Sequence, residues 1–329
     1  MSILDIIGNT PLLDLTDLFP GRSRITVKAK AEWRNPGGSL KDRPVKRMLT
    51  RAIESGRLTR DKIILDSSSG NAGIAYAMLG TALGYRVQLV IPGNASNERK
   101  QRIRSHGADI IETDPLEGYD EALRYVHHLY ESHPEKYFFC DQYANDDNWL
   151  AHYETTAEEM IVQADGEITH FVGSVGTGGS ITGIGRRLKN KYSNVQIIGV
   201  RPEVWPGVEG LKPLGSPGDI VPKIFDESII DHWVDVTADE AKEWCGKMAR
   251  VGLFVGQSSG AYLAGVSKVV ENLGSGKIIT LLNDLGDRYF STGLWKENSQ
   301  LTNIHAPQFI HQPEAELIIN KVNSLQVTP

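Results

Sequence analysis

Short β-rich runs alternate with helical stretches along most of this 329-residue chain. Ile25 to Ala31, Lys62 to Asp66, Arg86 to Ile91, Asp109 to Glu112, Tyr137 to Asp141, His170 to Ser174, Val195 to Val200 and Ile278 to Leu282 read as strands. Between them, Pro44 to Ser55 has helical spacing, with Val45, Met48, Leu49, Ala52 and Ile53 on one side. Asn71 to Leu83 reads as a packed Ala- and Gly-rich helix, Asn97 to Ser105 as a charged one. Strands separated by helices make βαβ units, so the pattern predicts an α/β fold with mostly parallel sheets. Three runs end in Ser/Gly turns: Asp66-Ser-Ser-Ser-Gly-Asn71, Gly173-Ser-Val-Gly-Thr-Gly-Gly-Ser180 and Val255-Gly-Gln-Ser-Ser-Gly260. Ligands of such folds bind at the carboxyl ends of strands, so these turns predict one site assembled from several loops.

Composition excludes several classes. Lysine and arginine number 35 against 41 aspartates and glutamates, a net charge of −6, which offers no basic surface for nucleic acid. Two cysteines, Cys140 and Cys245, make neither a disulfide framework nor a metal-ligand pair. His127, His128, His133 and His152 lack ligand spacing, so no metal is expected. The N-terminus lacks the basic start and apolar core of a signal peptide. No apolar run approaches the ~20 residues that span a bilayer. The expected address is the cytoplasm, with no membrane partner.

Four clusters carry chemistry. In Asn35-Pro-Gly-Gly-Ser-Leu-Lys-Asp-Arg43, Ser39 is placed to cap the following helix, and Lys41 falls in its first turn. The helix dipole disfavours a cation there and favours the neutral amine. Ser67-Ser-Ser-Gly-Asn-Ala-Gly73 follows a strand and opens a helix, so its free N–H groups and hydroxyls form an anion cradle. Gly176-Thr-Gly-Gly-Ser180 has the composition of a phosphate cup without being a Walker or full dinucleotide motif. Leu282-Asn-Asp-Leu-Gly-Asp-Arg-Tyr-Phe-Ser-Thr292 puts Asp284 at a strand end, with Asp287 and Arg288 spaced for a local ion pair. Taken singly, each has an ordinary explanation as a surface lysine, a tight turn or a solvated charge.

Together, in this order and spacing, the four clusters resemble the cysteine synthase and cystathionine β-synthase family of pyridoxal-phosphate (PLP) enzymes, fold type II. Ile7-Gly-Asn-Thr-Pro-Leu12, Pro92 to Arg99, Gln142 and Gly256 to Gly260 match as well, and the resemblance covers roughly residues 3–296. Asp284 and the stretch after it look more like the cysteine synthase B branch than the A branch.

The resemblance implies two three-layer α/β domains, tryptophan synthase β-like, with the cofactor between them. The smaller mobile domain is 36–148 and the larger is 12–35 plus 149–300. A C-terminal tail, 301–329, carries an amphipathic stretch at 313–322. Lys41 would hold PLP through a Schiff base and then act as the Cα base. Asn71 would bind the cofactor's 3′-oxygen, and Gly176, Thr177, Gly178, Gly179 and Ser180 its phosphate. Asp284 would lie near the pyridine nitrogen, with Asn283 as the alternative. Ser68, Ser69, Asn71 and Gln142 would bind the amino-acid carboxylate. The family resemblance also implies a homodimer.

Three positions depart from the family pattern. Ala72 replaces a threonine and removes one hydroxyl donor, a loss that Ser67 could share. Asp284 replaces a serine that many relatives place at the ring nitrogen. Gln257 stands where an apolar residue is usual. The implied reaction is β-replacement, converting O-acetyl-L-serine and sulfide to L-cysteine and acetate. O-phospho-L-serine is the alternative donor, with Lys212 the possible leaving-group contact and Arg99 and Arg201 the other candidates. Thiosulfate, a sulfur-carrier protein or another nucleophile are alternative second substrates. An inactive scaffold is disfavoured because Lys41 and the phosphate loop are present. A dinucleotide-dependent dehydrogenase is disfavoured because no acidic residue follows at the ribose position.

Overall fold

The structure is a computed structural model that describes residues 1–295 except 22, 69, 117 and 215–219. Ser69 and the stretch 313–322 lie outside the described residues. In chain order the strands are β1 (Leu12–Asp14), β2 (Ile25–Ala31), β3 (Ile63–Ser67), β4 (Val87–Pro92), β5 (Asp109–Thr113), β6 (Tyr137–Phe139), β7 (His170–Ser174), β8 (Gln196–Pro202), β9 (His232–Val236) and β10 (Gly276–Leu282). The helices are α1 (Asp42–Glu54), α2 (Asn71–Ala82), α3 (Asn97–Ser105), α4 (Gly118–Ser132), α5 (Asp147–Ala151), α6 (Ala157–Gln163), α7 (Gly179–Lys191), α8 (Ala238–Arg250) and α9 (Gln257–Asn272). One π-helical turn, His152–Thr156, joins α5 to α6.

The strands form two sheets. The larger has the order β1-β2-β10-β7-β8-β9, the smaller β5-β4-β3-β6. Every pairing is parallel except the edge pair of β1 with β2. Central strands such as β3 are buried along their whole length, as expected where helices cover both faces. The chain therefore has the predicted α/β class with mostly parallel sheets.

Helix α1 shows why the local pattern works. Val45, Met48, Leu49 and Ala52 recur at helical spacing and bury one face against Ile64, Tyr76 and Leu79 in the core of the smaller sheet. Helix α2 is different, because Ala72 to Gly80 are all buried and the small residues let it pack on every side. The larger sheet has its own core, with Val27, Val172, Val200, Ile278 and Leu282 meeting Ala261, Leu263 and Val266 of α9.

A buried ion network braces the N-terminus against α1 and α6. Lys30 Nζ and Arg43 Nη1 each lie 2.6 Å from a carboxylate oxygen of Glu159, and Arg43 Nε lies 2.7 Å from Glu32 Oε2. Lys30 also donates to the carbonyl of Thr10 at 2.5 Å. Two cations meet two anions, so the desolvated charges compensate one another. Among the described residues no helix is long and apolar enough to cross a membrane.

Candidate active site

The strand ends of the two sheets meet at one cleft. The turn 35–42, the loop after β3, the loop after β6, the loop after β7 and the segment after β10 all reach it. Its lining includes Lys41, Ser68, Asn71, Gln142, Gly176, Thr177, Ser180 and Lys212. Sequence reasoning singled out each of these, and the fold brings them together.

Lys41 is the N-cap residue of α1, one position before the first turn where the sequence placed it. Its turn is tightly tied. Gly37 N donates to Asp42 Oδ2 at 2.5 Å, Leu40 N donates to the carbonyl of Asn283 at 2.9 Å, and Lys41 N donates to Ser39 Oγ at 3.2 Å. Among the described residues the Lys41 amine has no hydrogen-bond or ion-pair partner. Burial brings its pKa down to about 8, against an opposing pull from the Asp66 carboxylate.

The loop after β3 is held by its own backbone. Ser68 Oγ accepts from Gly73 N at 2.8 Å and Gly70 N at 3.1 Å, which leaves its own O–H to donate into the cleft. Gln142 Nε2 donates to the carbonyl of Ser67 at 2.7 Å and keeps a second N–H. The Ser67 hydroxyl pairs with Tyr119 at 3.1 Å and does not line the cleft. It therefore does not replace the hydroxyl missing at Ala72; Tyr119, which the sequence did not point to, lines the cleft instead. Beneath the loop, Asp66 accepts from Tyr76 at 2.6 Å and Ser67 N at 2.7 Å, and burial pushes its pKa up to about 7.

The loop after β7 opens α7. The first N–H groups of a helix have no carbonyl partner within it, and here that turn fronts the cleft. Close packing requires the glycines. A Cβ on Gly176 would come 2.6 Å from the Gly210 carbonyl. Gly178 has φ +82°, and a Cβ there would come 2.6 Å from Phe225. Gly179 packs on Asn148, whose Nδ2 donates to Thr177 Oγ1 at 3.1 Å. The result is a rigid backbone nest of the kind that binds phosphate.

The segment after β10 overturns one sequence expectation, the Asp287–Arg288 pair, and sets Asp284 away from the cleft lining. Asp284 stands one layer behind the lining. Its Oδ2 accepts from Asn71 Nδ2 at 2.7 Å and from Tyr289 OH at 2.6 Å. Asp287 and Arg288 do not pair with each other. The buried Arg288 guanidinium donates to Asn71 Oδ1 and to the carbonyl of Gly37, tying α2 to the Lys41 turn. The lining positions are taken by Asn283 and by Ser258 at the start of α9, with Asn283 Nδ2 donating to Ser258 Oγ at 3.1 Å. Tyr262, one turn further along α9, also lines the cleft. No motif marked this contact, since 25 residues separate the pair and the sheet order joins them. Gln257 has a visible role: its Oε1 accepts from Glu209 N at 3.1 Å and holds the segment after β8.

At the mouth, each cation has an acidic partner. Arg99 of α3 reaches Glu209, and Lys212 Nζ lies 3.3 Å from Asp120 Oδ1. Arg201 pairs with Asp235 at 2.6 Å and does not line the cleft. Among the described residues no three histidine, cysteine, aspartate or glutamate side chains gather as metal ligands would.

An unpartnered lysine amine and a phosphate-sized backbone nest share one cleft, as in an enzyme that anchors a phosphorylated aldehyde. The buried, unpartnered Asn283 Oδ1 is a further polar group for such a ligand to approach, so the residues present fit pyridoxal phosphate. The pyridoxal-phosphate dependent enzyme family model matches residues 3–284, and the chain belongs to that family. It is 43% identical over 304 residues to a cysteine synthase of Aquifex aeolicus, covering 90% of this chain and 92% of that protein. It is 36% identical over 299 residues to cysteine synthase B of Escherichia coli, covering 90% and 97%. A solved cysteine synthase from Entamoeba histolytica superposes with a TM-score of 0.84 at 32% identity, covering 91% of each chain. O-ureido-L-serine synthase superposes with a TM-score of 0.83 at 32% identity, covering 91% and 97%.

Proposed function

We infer that this chain is a PLP-dependent cysteine synthase, a transferase that converts O-acetyl-L-serine and sulfide to L-cysteine and acetate. The observation that carries the reading is the partner-free Lys41 amine in one cleft with the anion nest of α7 and the hydroxyl and amide donors after β3 and β6. PLP, when bound, supplies an electron sink that makes the substrate's Cα–H bond acidic and lets the Cβ substituent leave.

The chain's residues then divide the work. Lys41 Nζ anchors the cofactor in the resting enzyme and, once freed, takes the Cα proton. Its lowered pKa keeps a useful fraction neutral near pH 8. The backbone of Gly176 to Ser180 and the Thr177 and Ser180 hydroxyls hold the phosphate. Asn71 uses its remaining amide N–H toward the 3′-oxygen. The Ser68 hydroxyl, the remaining Gln142 N–H and Ser69 receive the donor's carboxylate. The 3-oxygen, 4-aldehyde and 5-phosphomethyl groups are adjacent on the ring, so its nitrogen lies across from the lysine attachment. Ser258 lines the cleft and is not used by those groups; it is the residue we assign to that nitrogen, with Asp284 supporting Asn71 from behind.

The mouth favours the acetyl donor. A phosphate leaving group needs a cation with its charge to spare. Lys212 and Arg99 both face carboxylates, so a dianion would have to displace Asp120 or Glu209. Residues 36–148 form the unit that closes over the carboxylate, with Pro92 to Arg99 moving along; the separate core of the smaller sheet supports this. A donor-soaked structure without movement there would remove that part of the reading. Two buried free thiols, Cys140 and Cys245, support a reducing cytoplasm. Exposed Ile6 and Val162, near the Asn9 to Glu159 contact, support a homodimer face.

The test is a direct assay of the purified holoenzyme. Cysteine and acetate formation from O-acetyl-L-serine and sulfide is expected, with O-phospho-L-serine turned over at least tenfold more slowly. No cysteine from either donor would reject the reading.

A further inference from the structure

Ser258 offers one proton and two lone pairs, so its neighbours decide which of these it presents to the cleft. Asn283 settles the question from the side. Its amide Nδ2 donates to Ser258 Oγ at 3.1 Å and occupies a lone pair, leaving the hydroxyl proton free to turn inward. Both residues are nearly inaccessible to solvent, so water does not compete for either role.

Asn283 is itself clamped. Its backbone N donates to Ser259 Oγ at 2.8 Å, and its carbonyl accepts from Leu40 N at 2.9 Å, beside the site lysine. Its Oδ1 is buried and unpartnered. Were the amide reversed, that oxygen would take the Ser258 proton and the serine would present a lone pair instead.

We propose that Asn283 is a positioning residue that acts through Ser258, fixing the serine as a hydrogen-bond donor and so holding the ring nitrogen of the bound cofactor unprotonated. This rests on the PLP reading above and extends it to one residue's control of the ring. The groups around Ser258 fit the assignment. Tyr262, on the same helix, is held neutral by burial, which pushes its pKa up to about 12. Burial does the same to Cys245 of α8 and raises Tyr289 well above the usual phenol range. Asp284, the nearest carboxylate, has Oδ2 committed to Asn71 and Tyr289, and Arg99 stacks over the Tyr289 ring at 5.1 Å. Lys41 is taken up by the cofactor.

The experiment is nitrogen NMR of the holoenzyme reconstituted with PLP labelled at the ring nitrogen, from pH 6 to 9. The wild type is expected at the unprotonated position, unmoved by pH. In Asn283→Asp an ionised carboxylate accepts the Ser258 proton, and the signal is expected to shift to the pyridinium position. In Asn283→Ala, which keeps the question open if the aspartate variant does not fold, the signal is expected to become pH-dependent. A protonated wild-type nitrogen, or folded variants that keep the wild-type signal, would overturn the role of Asn283. Failure of the wild type to retain the labelled cofactor would instead reject the PLP reading beneath it.

Discussion

The chemistry of Lys41 follows from its lack of partners. A surface lysine is protonated at neutral pH, but this one is buried with its pKa brought down to about 8. Only the neutral amine attacks an aldehyde, so PLP uptake by the apoenzyme should accelerate about tenfold per pH unit up to 8 and then level off. Stopped-flow absorbance measures this directly; a rate still climbing at pH 10 would mean an ordinary amine. Lys41→Ala should lose the covalent attachment altogether, so borohydride reduction followed by mass spectrometry should find no mass increment. At Glu159 the shift runs the other way. Burial raises its pKa, but Arg43 and Lys30 outweigh that and hold it at about 2. A depressed carboxylate stabilises the fold fully above its ordinary value of 4.5 and loses that stabilisation as pH falls toward 2. Glu159→Gln should therefore cost about 2 kcal/mol at pH 7, solvent screening reducing the full shift, with the gap to wild type closing in acid. Urea melts at several pH values read it out.

Among the elements, the loop into α7 depends most on one residue type. At Gly178 a side chain would meet both a left-handed backbone and Phe225. Gly178→Ala should leave the fold intact but weaken PLP binding by roughly fivefold to a hundredfold, as about 1–3 kcal/mol of strain implies. Fluorescence titration of the apoenzyme is the check. The element scale also shows what the chain discloses unaided. Strands β2 and β7 coincide with the runs read at 25–31 and 170–174, because β2 alternates apolar residues with Thr and Lys and β7 is a short buried run that ends in Gly-Ser. The edge strands β1 and β9 are short and partly polar, so nothing marked them apart from loop. The site divides similarly. Lys41, Ser68, Gln142 and the glycine loop are marked by local motifs. Arg288 to Asn71 spans 217 residues and Asn283 to Ser258 spans 25, and sheet order alone sets both pairings. Asp284 stands one layer behind the cleft lining, since the next residue along a strand end points the other way.

At the scale of the whole molecule, two ion pairs cross the cleft mouth from the smaller-sheet side to the segment after β8. They are Arg99 to Glu209 and Lys212 to Asp120. Ser291, close to the end of the described chain, also binds Glu98 of α3 through its N–H at 3.0 Å and its hydroxyl at 2.6 Å. These contacts favour a closed cleft. Glu209→Gln should loosen it and raise KM for O-acetyl-L-serine about fivefold, the equivalent of about 1 kcal/mol for a partly exposed pair. The turnover number should change less, which steady-state kinetics will separate. An equal fall in the turnover number and in kcat/KM, with KM unchanged, would place Glu209 in the chemistry.

The order of the larger sheet has a consequence during synthesis. β10 lies between β2 and β7, so the centre of that sheet is the last of the described strands to leave the ribosome. For some 245 residues of translation, β2 can pair only with the three-residue β1. Until β10 arrives, the backbone edges of β2 and β7 stay unpaired, the kind that recruit one another between chains. A ribosome stalled before residue 276 would thus present an aggregation-prone intermediate with an unfinished site, and the nascent enzyme would gain its ability to hold cofactor in one late step.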